Sequence, residues 1–401
     1  MTPMVRRFTA ILLLALPAFA ATYRFAAVWD GARLWKDACI TIQGDRIQSV
    51  GACRGTPIDL SQLTAIPGLI DVHTHMTYIL DNRVSQAGRG AAVVYLAQEN
   101  ARKTLETGVT TVRDLGASDY ADIAMRDLIN NGQMPGPRMF VSGYGLQITR
   151  GGRGSSPNTA DGVAEVMRVV RQQVGAGADQ IKMYGSTGSG RDVTGYQTFT
   201  FEEMKAAVDA AHALGKRIAI HTYGPDGARD AVRAGADSVE HATDMDDATI
   251  AEMVRRKTFY VPTIDHNRYY VDNARRLNYP PKAVDDLNDY IQRNLATARK
   301  AFAAGVRFAM GSDAVYTMFG ENTRELGWFV KAGMTPEEAL RTATTNAAEL
   351  MGMEKSLGAI RAGNLADVVA VEGDPLADID AAIHKVRWVM KGGEVVVNKT
   401  K

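Results

Sequence analysis

Cysteine is almost absent, with two in 401 residues, Cys39 and Cys53. A short-range disulfide and two reduced, buried thiols both remain open; the hairpin-like stretch ITIQGDRIQSV would make their strands neighbours, in which case a bond is expected. Excess charge is also lacking: 46 basic residues against 45 acidic leave a formal net charge of +1. The basic residues are scattered and form no stripe, which argues against nucleic acid as a partner. Long apolar runs are missing after the first twenty residues, so nothing later in the chain can cross a bilayer, which takes ~20 apolar residues. The first twenty differ. Arg6 and Arg7 precede the run FTAILLLALPAFA, with small residues at Ala18 and Ala20. This is the pattern of a secretory signal peptide cleaved after Ala20, and it implies a periplasmic or secreted protein with no stable membrane anchor.

Histidine is scarce as well, at seven, and its placement is informative. IPGLIDVHTHM reads as a buried strand ending in His73 and His75, which alternation puts on one face. Such a pair is either hydrogen-bonded core or part of a metal site. Between about Ile66 and Gly352 one grammar recurs: a helical stretch ends at Gly, a short apolar strand follows, and a polar residue ends it. The examples are GVTTVRD, GADQIKMY, GKRIAIHT, GADSVEH and GVRFAMGSD. PRMFVSGYG, FYVPTID and the opening strand bring the number to eight. Thr200 with Glu203, and Thr335 with Pro336 and Glu338, mark helix starts as capping boxes. Alternating strands and helices imply an α/β fold with parallel strands, and eight units suggest a (β/α)8 TIM barrel with its active site at the C-terminal strand ends. Residues 21–65 and 358–401 read as short strands and tight turns without helical periodicity. They are expected to pair as one small discontinuous β-sandwich around a barrel of residues 66–357.

Four of the histidines, His73, His75, His221 and His241, end predicted barrel strands, and Asp313 ends the eighth. Four imidazoles and a carboxylate on one face suit zinc or a similar borderline metal. Lys182, on the fourth strand, is awkward beside cations because an ammonium has no lone pair. A neutral lysine, a salt bridge or carboxylation by carbon dioxide would each resolve that.

PGLIDVHTH, IKMYG, AIHTYG, VEHAT, GSDA and GAIRAGNLADVVAVEGDPLADI together resemble the metal-dependent amidohydrolase superfamily. The resemblance covers nearly all of the chain after the leader. It is narrower toward the branch with a carboxylated lysine, which includes Xaa-Pro and other dipeptidases or carboxypeptidases and ochratoxin-type amidases. That resemblance implies two divalent metal ions, zinc by expectation, with His73, His75 and Asp313 on one, His221 and His241 on the other, and carboxylated Lys182 bridging them. It implies a hydroxide shared between the metals that attacks an amide carbon. Asp313 would take the proton and deliver it to the departing amine, or serve only as a ligand.

Tyr184 and Tyr223 lie two residues after Lys182 and His221, so each shares its partner's strand face; in the relatives such tyrosines help hold a substrate carboxylate, and core tyrosines are the alternative. His266 is a pocket residue or a surface histidine. The segment from Tyr269 to Ala301 is expected to be helical, either a lid or a solvated excursion. Many relatives carry GGHG after the third strand, where this chain has GGRG. Arg153 therefore stands in the histidine's place, as a binder of the substrate carboxylate or a solvent-facing side chain. The expected function is exported hydrolysis of a peptide or peptide-like amide next to a free carboxylate. A cyclic-amide hydrolase of the imidazolonepropionase type and a non-catalytic metal-binding protein are the alternatives. The expected partners are a small-molecule substrate and further copies of the chain, as a homo-oligomer.

Overall fold

The computed structural model describes residues 20–79, 89–149, 157–190 and 192–400. The expected leader, apart from Ala20, and Arg153 lie outside the described residues. The described chain opens with β1 (Ala21–Trp29), β2 (Leu34–Gln43), β3 (Arg46–Gly51) and β4 (Ile58–Pro67). Eight barrel strands follow: β5 (Leu69–Thr74), β6 (Val109–Asp114), β7 (Arg138–Val141), β8 (Ile181–Tyr184), β9 (Ile218–Thr222), β10 (Ser238–His241), β11 (Phe259–Val261) and β12 (Arg307–Phe308). The helices among and after them are α1 (Arg89–Glu106), α2 (Ala121–Asn130), α3 (Val163–Gly175), α4 (Phe201–Ala213), α5 (Pro225–Ala234), α6 (Asp247–Arg256), α7 (Ile264–Asp272), α8 (Pro281–Ala303), α9 (Glu325–Lys331), α10 (Pro336–Thr342) and α11 (Thr345–Leu350). The chain ends with β13 (Val368–Val371), α12 (Asp380–His384), β14 (Val386–Lys391) and β15 (Glu394–Asn398).

The barrel strands run parallel in sets of three and five, in orders β5-β6-β7 and β12-β11-β10-β9-β8. Parallel bridges between Leu146 and Met183 and between Thr74 and Ala314 join the sets. Glycines end the helices as the sequence suggests: Gly108, Gly177, Gly215, Gly235 and Gly305 all have positive φ, which only glycine adopts without a Cβ penalty. Both capping boxes form, at Thr200 with Glu203 and at Thr335 with Glu338.

Both terminal segments feed one seven-stranded sheet, ordered β15-β14-β13-β4-β1-β2-β3. It folds over a core that includes Phe25, Ile40, Ile47, Leu60, Val368 and Trp388. Near its edge, the Ile47 amide donates to the Asn364 carbonyl at 2.9 Å, tying the first segment to the last. Cys39 and Cys53 are disulfide-bonded there. β4 runs through Ile66 to Pro67, and the barrel begins at Leu69.

The structure departs from the sequence reading in three places. The C-terminal segment does contain a helix, the short α12. The eighth strand keeps only two ladder residues: the Ala309 amide still bonds the Tyr260 carbonyl of β11, but Met310 then turns to the Thr342 carbonyl and Ser312 to the Asp71 carboxylate. The segment from Tyr269 to Ala301 is no solvated excursion. α8 buries Leu287, Tyr290, Ile291, Asn294, Leu295, Ala298 and Ala301, a stripe at helical spacing that faces the barrel.

Candidate metal centre

His73 and His75 leave the end of β5 on one side, with ring centroids 5.5 Å apart. His221 comes from β9 and His241 from the end of β10, their rings 4.5 Å apart. Strand alternation would separate His241 from Glu240, its neighbour on the inner face. His241 escapes by adopting φ 72°, which ends the strand and swings its ring toward the others, 5.1 Å from His73. Asp313 also sits in the left-handed region, at φ 50°. Such conformations cost about 1–3 kcal/mol in non-glycine residues and persist only where surrounding bonds hold them. Here Asp71 supplies the restraint. Buried beneath the loop, its carboxylate accepts from the Ser312 amide at 2.9 Å, the Ser312 hydroxyl at 2.6 Å and the Asn322 amide at 3.0 Å. The Asp313 amide then reaches the His73 carbonyl at 2.7 Å.

Donor atoms of His73, His241 and Asp313 all lie within 4.8 Å of one another, and all three residues are buried. Asp313 Oδ1 is 3.6 Å from His73 Nε2 and 3.3 Å from His75 Nε2. Lys182 Nζ is 3.4 Å from His73 Nε2. It stands within β8, not at its end, and is almost fully buried. Three imidazoles have their Nδ1 engaged: His73 with Glu240 at 2.7 Å, His75 with the Gly116 carbonyl at 3.0 Å and His241 with the Thr263 hydroxyl at 2.6 Å. This is how metal-binding histidines are oriented, with Nε2 left free to ligate. His221 Nε2 is buried and has no hydrogen-bond partner among the described residues.

Burial holds His73 and His241 well below the ordinary histidine range and His221 at about 3. All three are therefore neutral, the form that binds metal. Burial likewise lowers Lys182 to about 8. Burial opposes ionisation of Asp313, yet the nearby His266 and His75 rings pull its carboxyl far below the usual range. The donor set and the orphaned His221 nitrogen fit a divalent cation.

His266 is buried beside Asp313 and is not a surface histidine. Its Nδ1 bonds the Asp313 carbonyl at 2.8 Å and lies 3.3 Å from Asp313 Oδ2. Tyr223 stacks on His221 at 5.1 Å, and Tyr184 approaches the same ring edge-on at 5.5 Å. The Tyr223 hydroxyl is buried and faces the side-chain amide of Asn267, which is buried with it. Behind Tyr223 lies Tyr290 of α8, stacked at 4.7 Å. Tyr78 stacks on His75 at 4.5 Å and hydrogen-bonds Tyr184. A cavity of about 380 Å³ opens beside these rings, lined by Tyr78, Tyr144, Gln147, Asn158, Tyr184 and Ser186 among others. The sequence reading missed Asp71, Tyr78, Glu240, Asn267 and Tyr290. Asp71 could have been found, because it stands two residues before His73 on the same strand face; the others carry no local signal.

A family model described as the amidohydrolase family matches residues 64–396. The chain belongs to that family. Ochratoxinase of Aspergillus niger is 31% identical to this amidohydrolase over 366 residues, which span 82% of this chain and 75% of the relative. The crystal structure of a Xaa-Pro dipeptidase with methionine bound in its active site superposes with a TM-score of 0.87 at 31% identity, covering 94% of this chain and 99% of the other. A prolidase complexed with N-methylphosphonate-L-proline gives 0.85 at 27% identity, over 95% and 100%. The amidohydrolase thus shares with these structures the barrel and the β-sandwich. Among the described residues no helix is long and apolar enough to cross a membrane.

Proposed function

We propose that this amidohydrolase is exported, carries two divalent ions and cleaves a peptide or peptide-like amide next to a free carboxylate. The observation that carries the reading is the burial of His73, His241 and Asp313 within 4.8 Å, with His75, His221 and Lys182 around them. His73, His75 and Asp313 would hold one ion, and His221 and His241 the other. Lys182 would bridge them as a carbamate; a pKa near 8 leaves part of it as the neutral amine that combines with carbon dioxide. Divalent ions bound there, zinc by preference, would polarise the amide carbonyl and acidify a water.

The chain's own residues then handle protons and orientation. Asp313 is ionised and buried beside the centre, so it can accept a proton from the attacking water. It returns that proton to the nitrogen as the carbon–nitrogen bond breaks, leaving an amine and a carboxylate. His266 holds the Asp313 backbone and so keeps the carboxylate aimed. The Tyr223 hydroxyl, Tyr184 and Arg153 would bind the substrate carboxylate. Export is supported by the leader pattern, by the start of β1 at Ala21 and by the disulfide.

Metal analysis of the purified protein, with a screen of dipeptides and N-acyl amino acids, tests the reading. About two ions per chain and chelator-sensitive hydrolysis are expected; a metal-loaded protein inert toward all these amides would overturn it. Arg153→Ala should lower kcat/KM by roughly ten- to 150-fold on carboxylate substrates, the loss of one charge-assisted contact worth about 1.5–3 kcal/mol. Amidated substrates, poor already, should change little. An equal loss on both would assign Arg153 a structural role.

A further inference from the structure

Behind the histidine cluster the barrel interior holds a charge pair that the proposed chemistry leaves unused. Glu240 is fully buried and Arg113 nearly so. Ser238 and Glu240 are two apart on β10 and share its inner face, while Arg113 reaches across from β6. Arg113 Nη2 donates to Glu240 Oε1 at 2.9 Å, Nη1 to Ser238 Oγ at 3.0 Å and Nε to the Val72 carbonyl at 2.5 Å. The Ser238 hydroxyl donates to the same Glu240 oxygen at 2.5 Å. The other oxygen, Oε2, meets His73 Nδ1 at 2.7 Å.

A buried ion pair is seldom a better core than apolar side chains of the same volume, so packing does not account for it. Its geometry does. With Arg113 and Ser238 donating to Oε1, Glu240 is held as a carboxylate and Oε2 can only accept. The proton must then sit on His73 Nδ1, which leaves the Nε2 lone pair facing Asp313 and Lys182. His75 and His241 are oriented by neutral groups, a carbonyl and a hydroxyl. Of these three imidazoles His73 alone is backed by a full negative charge, which makes its nitrogen the strongest donor.

We propose that Glu240, locked by Arg113 and Ser238, is the positioning residue that fixes the His73 tautomer and sets how tightly the centre holds a divalent cation. This rests on the metal reading of the site. The test is zinc affinity by chelator competition in the parent and in Glu240→Gln, with the visible spectrum of each cobalt-loaded protein and the melting of each apo-protein. Affinity should fall about 10- to 100-fold and the cobalt spectrum should shift, while the apo-variant still folds. Unchanged affinity and spectrum would overturn the proposal. Should Glu240→Gln fail to fold, the zinc-loaded parent labelled with [15N]histidine decides: His73 must carry its proton on Nδ1, and a proton on Nε2 overturns the proposal. A parent that binds no zinc would instead overturn the metal reading on which it stands.

Discussion

The two ends of the barrel are both rich in ionisable side chains and handle them in opposite ways. At the N-terminal end a cleft of about 460 Å³ gathers Arg217, Arg255, Arg256, Lys257 and Arg307 with Asp237 and Glu349. Several of these charges are answered in solvent: Arg255 and Arg256 share Glu252, Arg307 pairs with Glu349, and Asp237 meets His212 at 2.9 Å. At the C-terminal end His73, His241, Lys182 and Asp313 are buried, and many of their closest polar neighbours are one another. Exposed pairs lose little when broken, because water replaces the partner. Buried groups without a counter-charge are costly, so a fold keeps them only where they have another use or ligand.

Replacing Asp313 should therefore have the largest effect. Asp313→Asn keeps the shape and an oxygen that can ligate, but cannot take a proton. A fall in kcat of about 10²–10⁴-fold is expected with partial metal retention, the range attributed to a positioned acid or base. Steady-state kinetics beside metal analysis reads both quantities, and turnover close to the parent's would restrict Asp313 to ligation.

The next effect in size concerns pH. Glu325 on α9 lies fully buried and accepts from the amides of Ile264 and Asp265 at 2.9 Å each. Burial raises its carboxyl from 4.5 to about 8. The folded chain thus binds this proton more tightly than the unfolded chain. Its contribution to stability is fully present below about pH 4.5 and is lost as pH rises through about 8. Asp71 and Asp114, raised by burial to about 6 and about 7, act with the same sign over lower windows. Denaturant unfolding at several pH values should show the parent losing stability relative to Glu325→Gln between about pH 5 and 8, since the buried neutral His73, His221 and His241 act with the opposite sign in both proteins. Glu325→Gln should flatten the upper part of that curve, by at most about 1.4 kcal/mol per pH unit for one proton. Parallel curves for parent and variant would show that Glu325 titrates normally.

What could be read from the sequence divides along similar lines. The barrel was legible because its signals are local: a glycine ending a helix, then an apolar run closed by a polar residue. The histidines were legible as a group because those runs end on them. The residues that hold them were not. Glu240 touches His73 across 167 positions and Arg113 meets Glu240 across 127, and no periodicity links such partners. The eighth strand misled because VRFAMGSD has strand composition. At Gly311, however, a Cβ would come within 2.6 Å of the Val261 side chain and 2.7 Å of the His73 Cβ, so the chain passes too close to β11 and β5 for a side chain, and its bonds to β5 fall outside a regular strand. α8 was misjudged for a different reason. Its buried stripe from Leu287 to Ala301 is visible at helical spacing, but spacing alone does not say what surface such a stripe meets, and an excursion into solvent was the expectation.

The smallest predicted effect lies at the other end of the barrel and sharpens the contrast. Glu349 is half exposed and pairs with Arg307, whose guanidinium also lies over the Phe259 ring at 4.1 Å. Glu349→Gln removes one charge and leaves Arg307 its aromatic contact and access to water. An exposed pair of this kind is worth about 0–1 kcal/mol, and salt weakens it further. Stability should fall by no more than that in dilute buffer and by less in high salt, with kcat and metal content unchanged. Denaturant unfolding at two ionic strengths, with one activity assay, checks all three. A loss of several kcal/mol, or any loss of metal, would mean that the charges at the base are coupled to the centre, and the division between the two ends would no longer hold.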